Sequence, residues 1–169
     1  MQRLGPDVLV LEEAVVDGAY DQAADLLGDG YHIVHQRVGL VGDGRHHGAS
    51  VASRWPIRRV YEVDLHLTPR TGDYSCGTVI AEVLAPEPLG RLLMASHGPS
   101  WPWWLEVERE LQALAVVRRI EELVADDPVH VVVGGGVRGQ GLMSFLVRAH
   151  MSVAGQARVT PGHHLRPRA

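Results

Sequence analysis

Residues 103–133, WWLEVERELQALAVVRRIEELVADDPVHVVV, decide the fold class, because they join a helix to a strand. Val107, Leu111, Leu114, Val117, Ile120 and Val124 recur at steps of three and four, with glutamates and arginines filling the other positions. That spacing predicts a helix from about Trp103 to Val124 with an apolar face. Pro128 ends it, VHVVV at 129–133 reads as a buried strand, and Gly134-Gly135-Gly136 closes that strand. Trp101, Trp103 and Trp104 are expected to pack the start of the helix against a sheet, although three indoles together also offer a surface for stacking a base.

Upstream the period changes to two. Tyr61, Val63, Leu65 and Leu67 alternate with Glu62, Asp64 and His66, as in a half-buried strand. Thr68–Asp73 carries turn residues, and 75–84 with 90–96 give two more strands around Pro86-Glu87-Pro88, so an antiparallel meander follows. Nearer the start, DVLVLEE at 7–13 reads as a buried strand whose carboxylates emerge at its end, Asp17–Leu27 as a helix stopped by Gly28 and Gly30, and 31–38 as another strand. The glycine-rich segment 39–49 reads as a loop, which leaves His46 and His47 as loop residues. His163 and His164 are read the same way, since adjacent histidines point apart and no third ligand has zinc-like spacing. The order is strand, helix, several antiparallel strands, helix, strand: mixed α/β, with too few alternations for a Rossmann-type sheet.

Composition sets limits on function. A chain of 169 residues that is 46% apolar fits one domain. All 16 basic residues are arginine, and the net charge of −4 gives no global attraction to nucleic acid, so any such contact has to be local. Cys76 is the only cysteine, which excludes an intrachain disulfide and a cysteine-rich zinc site. No apolar run is long enough for a signal peptide or a membrane span, and a soluble cytoplasmic protein is expected. The charges divide unevenly: residues 1–136 hold all 20 acids and 11 arginines, whereas 137–169 hold five arginines and no acid. The last segment therefore reads as a basic, poorly ordered tail beside a domain at 1–136.

Five segments in order carry a resemblance. PDVLVLEEA (6–14), SVASRWPI (50–57), LLMASHGPSW (92–101), ERELQAL (108–114) and HVVVGGGVRG (130–139) resemble the successive motifs of the endonuclease/exonuclease/phosphatase superfamily. The resemblance implies a DNase I-like α/β sandwich, two sheets face to face with helices outside, here incomplete at both ends. It also implies magnesium- or manganese-dependent hydrolysis of a phosphate ester, with nucleic acid among the family's substrates. Glu13 falls where the family's glutamate holds the divalent metal. Glu12 shares its location, and only the resemblance chooses between them. His97 falls at the family's active-site histidine, which binds a phosphate oxygen or delivers a proton. Arg109 and Gln112 fall in its helix motif, bracing loops above the site or serving structure alone.

Such hydrolysis needs a cation to neutralise the phosphoryl oxygens, an oriented water and a donor for the leaving oxygen. A hard ion that keeps several waters needs only one or two carboxylates as its protein anchor. The sequence departs from the pattern at its last strand, where Gly136 stands at the family's aspartate and Arg138 at its asparagine. No counterpart of the family's terminal serine-aspartate-histidine motif occurs in 140–169. Impaired hydrolysis is the expectation, and the alternatives are an inactive remnant acting as a binding module or an unrelated α/β domain.

Overall fold

The two-residue alternation and the helical spacing produce separate layers, and the boundary between them places the site. The computed structural model describes residues 5–125 and 129–136. Strands β1 (Val8–Asp17), β2 (Tyr20–Asp21), β3 (His32–Leu40) and β4 (His46–Ser53) form one sheet in the order β2-β1-β4-β3, all antiparallel. Strands β5 (Ile57–Asp64), β6 (Gly77–Leu84), β7 (Arg91–Gly98) and β8 (His130–Gly135) form the other, in the order β5-β6-β7-β8. β5, β6 and β7 are the antiparallel meander that the sequence predicts, and β8 returns parallel to β7 after the long helix.

Alternation along the central strands fills two cores. Val51, Val79, Ala81, Val83, Leu92 and Met94 pack between the sheets. Ile80, Leu93 and Ala95, on the opposite parity of β6 and β7, pack under Val116 and Ile120 of helix α2 (Glu106–Val124), with Leu65 and Cys76 alongside. Each fully buried aliphatic side chain stabilises the fold by roughly 1.5–3 kcal/mol. The result is the expected two-sheet sandwich with helices outside.

Several details differ from the sequence reading. β1 does not end at its carboxylates; it runs on to Asp17, and the paired glutamates lie inside it. The helix expected at 17–27 shrinks to α1 (Gln22–Leu27), because Asp21 leaves β2 and caps it, accepting the amides of Ala23 at 2.9 Å and Ala24 at 3.1 Å. His46 and His47 open β4 instead of lying in a loop, since pairing with both β1 and β3 outweighs the glycine-rich composition around them.

Helix α2 starts at Glu106; its predicted inner face holds at Val117 and Ile120 but not in the first turns. Val107 and Leu111 are exposed, while Glu108, Gln112, Val116 and Ile120 point inward. Buried Glu108 is tolerated because Arg70 meets it at 2.7 Å. The three tryptophans do not pack the helix start: Trp101, Trp103 and Trp104 are 61%, 80% and 48% exposed. The backbone beneath them is held instead, Arg109 donating to the carbonyls of Pro102 and Trp103 and Arg70 to that of Trp104. Among the described residues β8 is a half-buried edge strand with Val132 46% exposed, not a fully buried one. Pro128, Arg138, His163, His164 and the segment 137–169 lie outside the described residues.

Candidate active site

Gly48 organises one end of the sandwich. On one side of it, pairing jumps from Leu11↔Ser50 to Ala14↔Gly48, so β1 carries an extra residue at Glu12-Glu13. On the other, pairing jumps from Arg37↔Gly48 to Gly39↔His47, so β3 bulges at Val38. β3 runs so close here that any side chain at position 48 would overlap the carbonyl of Gln36. Two bulges flanking one glycine bend the sheet where the two glutamates stand. Glu13 takes a left-handed backbone, with φ of 54°, a conformation that costs a non-glycine residue free energy and marks functional sites more often than ordinary strands.

A cleft of about 100 Å³ lies at these bulges, lined by Glu12, Glu13, His47, Ser75, Ser100 and Gly136 among others. The two sheets are tied beside it, as the Ser96 hydroxyl donates to the Leu11 carbonyl at 2.8 Å. Behind the cleft, Gln112 is fully buried and accepts both the amide and the hydroxyl of Ser100 at 3.1 Å while donating to the Leu65 carbonyl at 2.9 Å. A larger cleft of about 670 Å³ sits at the other end of β1, β7 and β8, but its lining of Val8, Trp55, Leu92, Met94 and Val131 is mainly apolar. The paired carboxylates make the smaller cleft the candidate site.

The structure brings Glu12 and Glu13 to this cleft, together with the ends of β7 and β8. Gly136 donates its amide to the carbonyl of His97 at 3.1 Å. A Cβ at Gly136 would lie 2.9 Å from Glu12 Oε2, and one at Gly135 would lie 2.7 Å from Glu12 Oε1. The Glu12 carboxylate therefore occupies the space beside the end of β8 that side chains there would fill.

His97 shares the strand end but not the cleft wall. It follows Leu93 and Ala95 in the alternation of β7, is 1% exposed, and hydrogen-bonds Thr78 Oγ1 through Nδ1 at 2.7 Å. Burial pushes its pKa down to about 4, so the ring is neutral at pH 7. It is not among the described residues lining the cleft. Arg109 lies further off, holding the 102–103 turn.

Sequence reading missed His47 and Ser75, which line the cleft and whose side chains pair at 3.1 Å. Their one available signal was that His47 precedes a glycine at the mouth of a strand. It also missed a Ser50-His35-Asp21 chain, with Nδ1 at 2.7 Å from the hydroxyl and Nε2 at 2.8 Å from the carboxylate. Ser50 is 1% exposed and lines neither cleft, so this chain anchors α1 to its sheet through the Asp21 cap. Burial also pushes the Cys76 thiol up to about 11, which leaves it protonated and unreactive.

The sequence model of the Endonuclease/Exonuclease/phosphatase family matches residues 1–136. Among solved structures, the fold is similar to the human Nocturnin catalytic domain with bound sulfate, at 18% identity and a TM-score of 0.61, covering 77% of this chain and 50% of that one. It is similar to D. rerio TDP2 complexed with a single-strand DNA product, at 18% identity and a TM-score of 0.57, over 83% and 52% of the two chains. ANGEL2, a 2',3'-cyclic phosphatase solved with adenosine-2',3'-vanadate, matches at 19% identity and a TM-score of 0.62, over 83% and 43%. The chain spans about half the length of these structures, and at such identities the likeness shows the fold alone. No curated protein sequence matches it. No helix among the described residues is long and apolar enough to cross a membrane.

Proposed function

Because the chain belongs to the endonuclease/exonuclease/phosphatase family, whose pattern covers residues 1–136, we propose that it is a divalent-metal-dependent phosphoesterase acting at the cleft that holds Glu13. The observation that carries this is the strained bulge in β1, which presents two exposed carboxylates beside the ends of β7 and β8. Adjacent carboxylates suit a hard cation such as magnesium or manganese, which takes oxygen ligands and retains waters. Among the described residues no group of three or more histidines, cysteines or carboxylates gathers, so the donor set does not resemble a zinc cage. Glu13 would hold the cation, which when bound neutralises the phosphoryl oxygens and lowers the pKa of an attacking water.

The remaining work falls to this chain's own groups. Glu12 supplies a carboxylate at the end of β8 where Gly136 has none, positioned to orient a water. His97, held neutral by burial, has no second ring proton to give at pH 7; that supports a hydrogen-bonding or positioning role, with its carbonyl fixing Gly136. Gln112 and Arg109 brace the segment from Ser100 to Trp103 that rims the cleft. The substrate class is a phosphodiester or phosphomonoester, nucleic acid included.

A second reading, an inactive remnant acting as a binding module, is favoured by the absence of a side chain at Gly136. Hydrolysis of bis(p-nitrophenyl) phosphate with magnesium or manganese, comparing the protein with Glu13→Gln and Glu12→Gln, separates the two. Glu13→Gln is expected to lose about 100-fold or more of a measurable rate. Equal background in all three proteins removes the enzyme reading and leaves the remnant.

A further inference from the structure

The cleft poses an electrostatic problem that its carboxylates cannot solve. A phosphate ester approaching Glu12 and Glu13 meets like charge, so binding needs hydrogen-bond donors in the cleft as well as a cation. Among the described residues that line it, four side chains carry an N–H or O–H: His47, Ser75, Ser100 and Trp101. The Ser100 hydroxyl is turned to Gln112 at 3.1 Å, and Trp101 is 61% exposed at the rim. Of these four, His47 and Ser75 remain, half-buried in the wall and joined to each other, Nε2 to Oγ, at 3.1 Å.

This pair is fitted into a gap that the backbone leaves open. A Cβ at Gly39 would overlap Ser75 Oγ and lie 2.8 Å from His47 Nε2, so the two side chains fill the space of a missing one. The β3 bulge at Val38 brings Gly39 opposite His47 and so creates that gap. The hydrogen bond also has a useful property in either tautomer. If Nε2 donates to the serine oxygen, the serine hydroxyl keeps its own hydrogen; if the hydroxyl donates to Nε2, the hydrogen sits on Nδ1. In both cases the pair retains one more hydrogen to give.

We infer that His47 and Ser75 form a phosphoryl-oxygen anchor, binding the substrate's phosphate from the β4 side of the cleft that Glu12 and Glu13 also line. This rests on the phosphoesterase reading, and it makes His47 and Ser75 substrate-binding residues. Neither belongs to the motifs that carry the family resemblance.

Inorganic phosphate, titrated in the presence of magnesium, is the probe. The ring resonances of His47 are followed by NMR, and dissociation constants are compared for the protein, His47→Ala, His47→Gln and Ser75→Ala. Phosphate is expected to shift the His47 resonances saturably, His47→Ala and Ser75→Ala to weaken binding by about ten-fold, and His47→Gln, which keeps an amide donor, to recover most of it. A pair that only braces β4 against the 72–76 segment would alter unfolding midpoints and leave phosphate affinity alone, and that result overturns the inference. Absence of saturable phosphate binding overturns it too. If His47→Ala does not fold, Ser75→Ala and the response of the His47 resonances decide between the same two outcomes. Glu13-dependent turnover with phosphate affinity indifferent to both residues sinks the anchor and spares the phosphoesterase reading; His47-dependent phosphate binding without Glu13-dependent turnover does the reverse.

Discussion

The Ser96 hydroxyl of β7 donates to the Leu11 carbonyl of β1 at 2.8 Å, crossing from one sheet to the other directly beside the bulge at Glu12 and Glu13. Ser96 is fully buried, so its hydroxyl has no water to turn to, and the carbonyl it satisfies is the last one before the extra residue. The bond therefore fixes how far the bulge stands from the end of β7.

Ser96→Ala should lower stability by about 1 kcal/mol, the usual worth of one buried hydrogen bond. Urea unfolding checks this. The more informative measurement is hydrolysis by the folded variant, which should fall more than stability does, because the carboxylates lose their reference to the other sheet. Unchanged turnover in a destabilised protein would mean that the bond serves the fold alone.

Gln112 gives a second prediction, of a different kind. It spends its carbonyl on Ser100 and its amide on Leu65, so one side chain joins helix α2, the end of β5 and the segment after β7. Gln112→Ala strands those partners in a buried place and should cost about 2–4 kcal/mol. Hydrogen exchange at the Ser100 amide should speed up beyond the global change, and a Ser100 amide as protected as before would show that the segment is held by other contacts.

How much of this was legible follows from which force decides each element. The meander of β5, β6 and β7 was readable because one face of each strand is buried, so hydrophobic alternation and structure report the same thing. The inner face of α2's first turns was not. Val107 and Leu111 have the right spacing, yet Gln112 and Glu108 win the inner positions because hydrogen bonds to Ser100 and an ion pair with Arg70 await them there, partners no local pattern shows. β4 was hidden for the same reason: His46, His47 and Gly48 lack strand character, and only their two neighbours make them a strand. The candidate site was half legible. PDVLVLEEA pointed to Glu13, but the bulge that exposes it, the position of Glu12 against Gly136 and the pairing of His47 with Ser75 all depend on register between strands far apart in sequence.

His97 supplies the last prediction, through pH. Its ring is enclosed on β7 against Thr78, and burial lowers its pKa from the ordinary 6.5 to about 4. Above pH 6.5 the ring is neutral in both folded and unfolded chains and contributes no slope. As pH falls below 6.5 the unfolded chain takes up a proton that the folded one refuses, so stability drops by about 1.4 kcal/mol per unit until the folded ring itself protonates, a total of about 3 kcal/mol. Carboxylates whose pKa lies below the ordinary 3.8, such as Asp64 beside His66, titrate under this window and do not mimic it. Urea unfolding of the protein and of His97→Asn between pH 7 and pH 4 should therefore show the protein losing about 3 kcal/mol more than the variant as the acid side is approached, whatever the variant's starting stability. Parallel curves would show that His97 gains its proton as easily in the fold as out of it, and an acid role for it at the cleft would regain its footing.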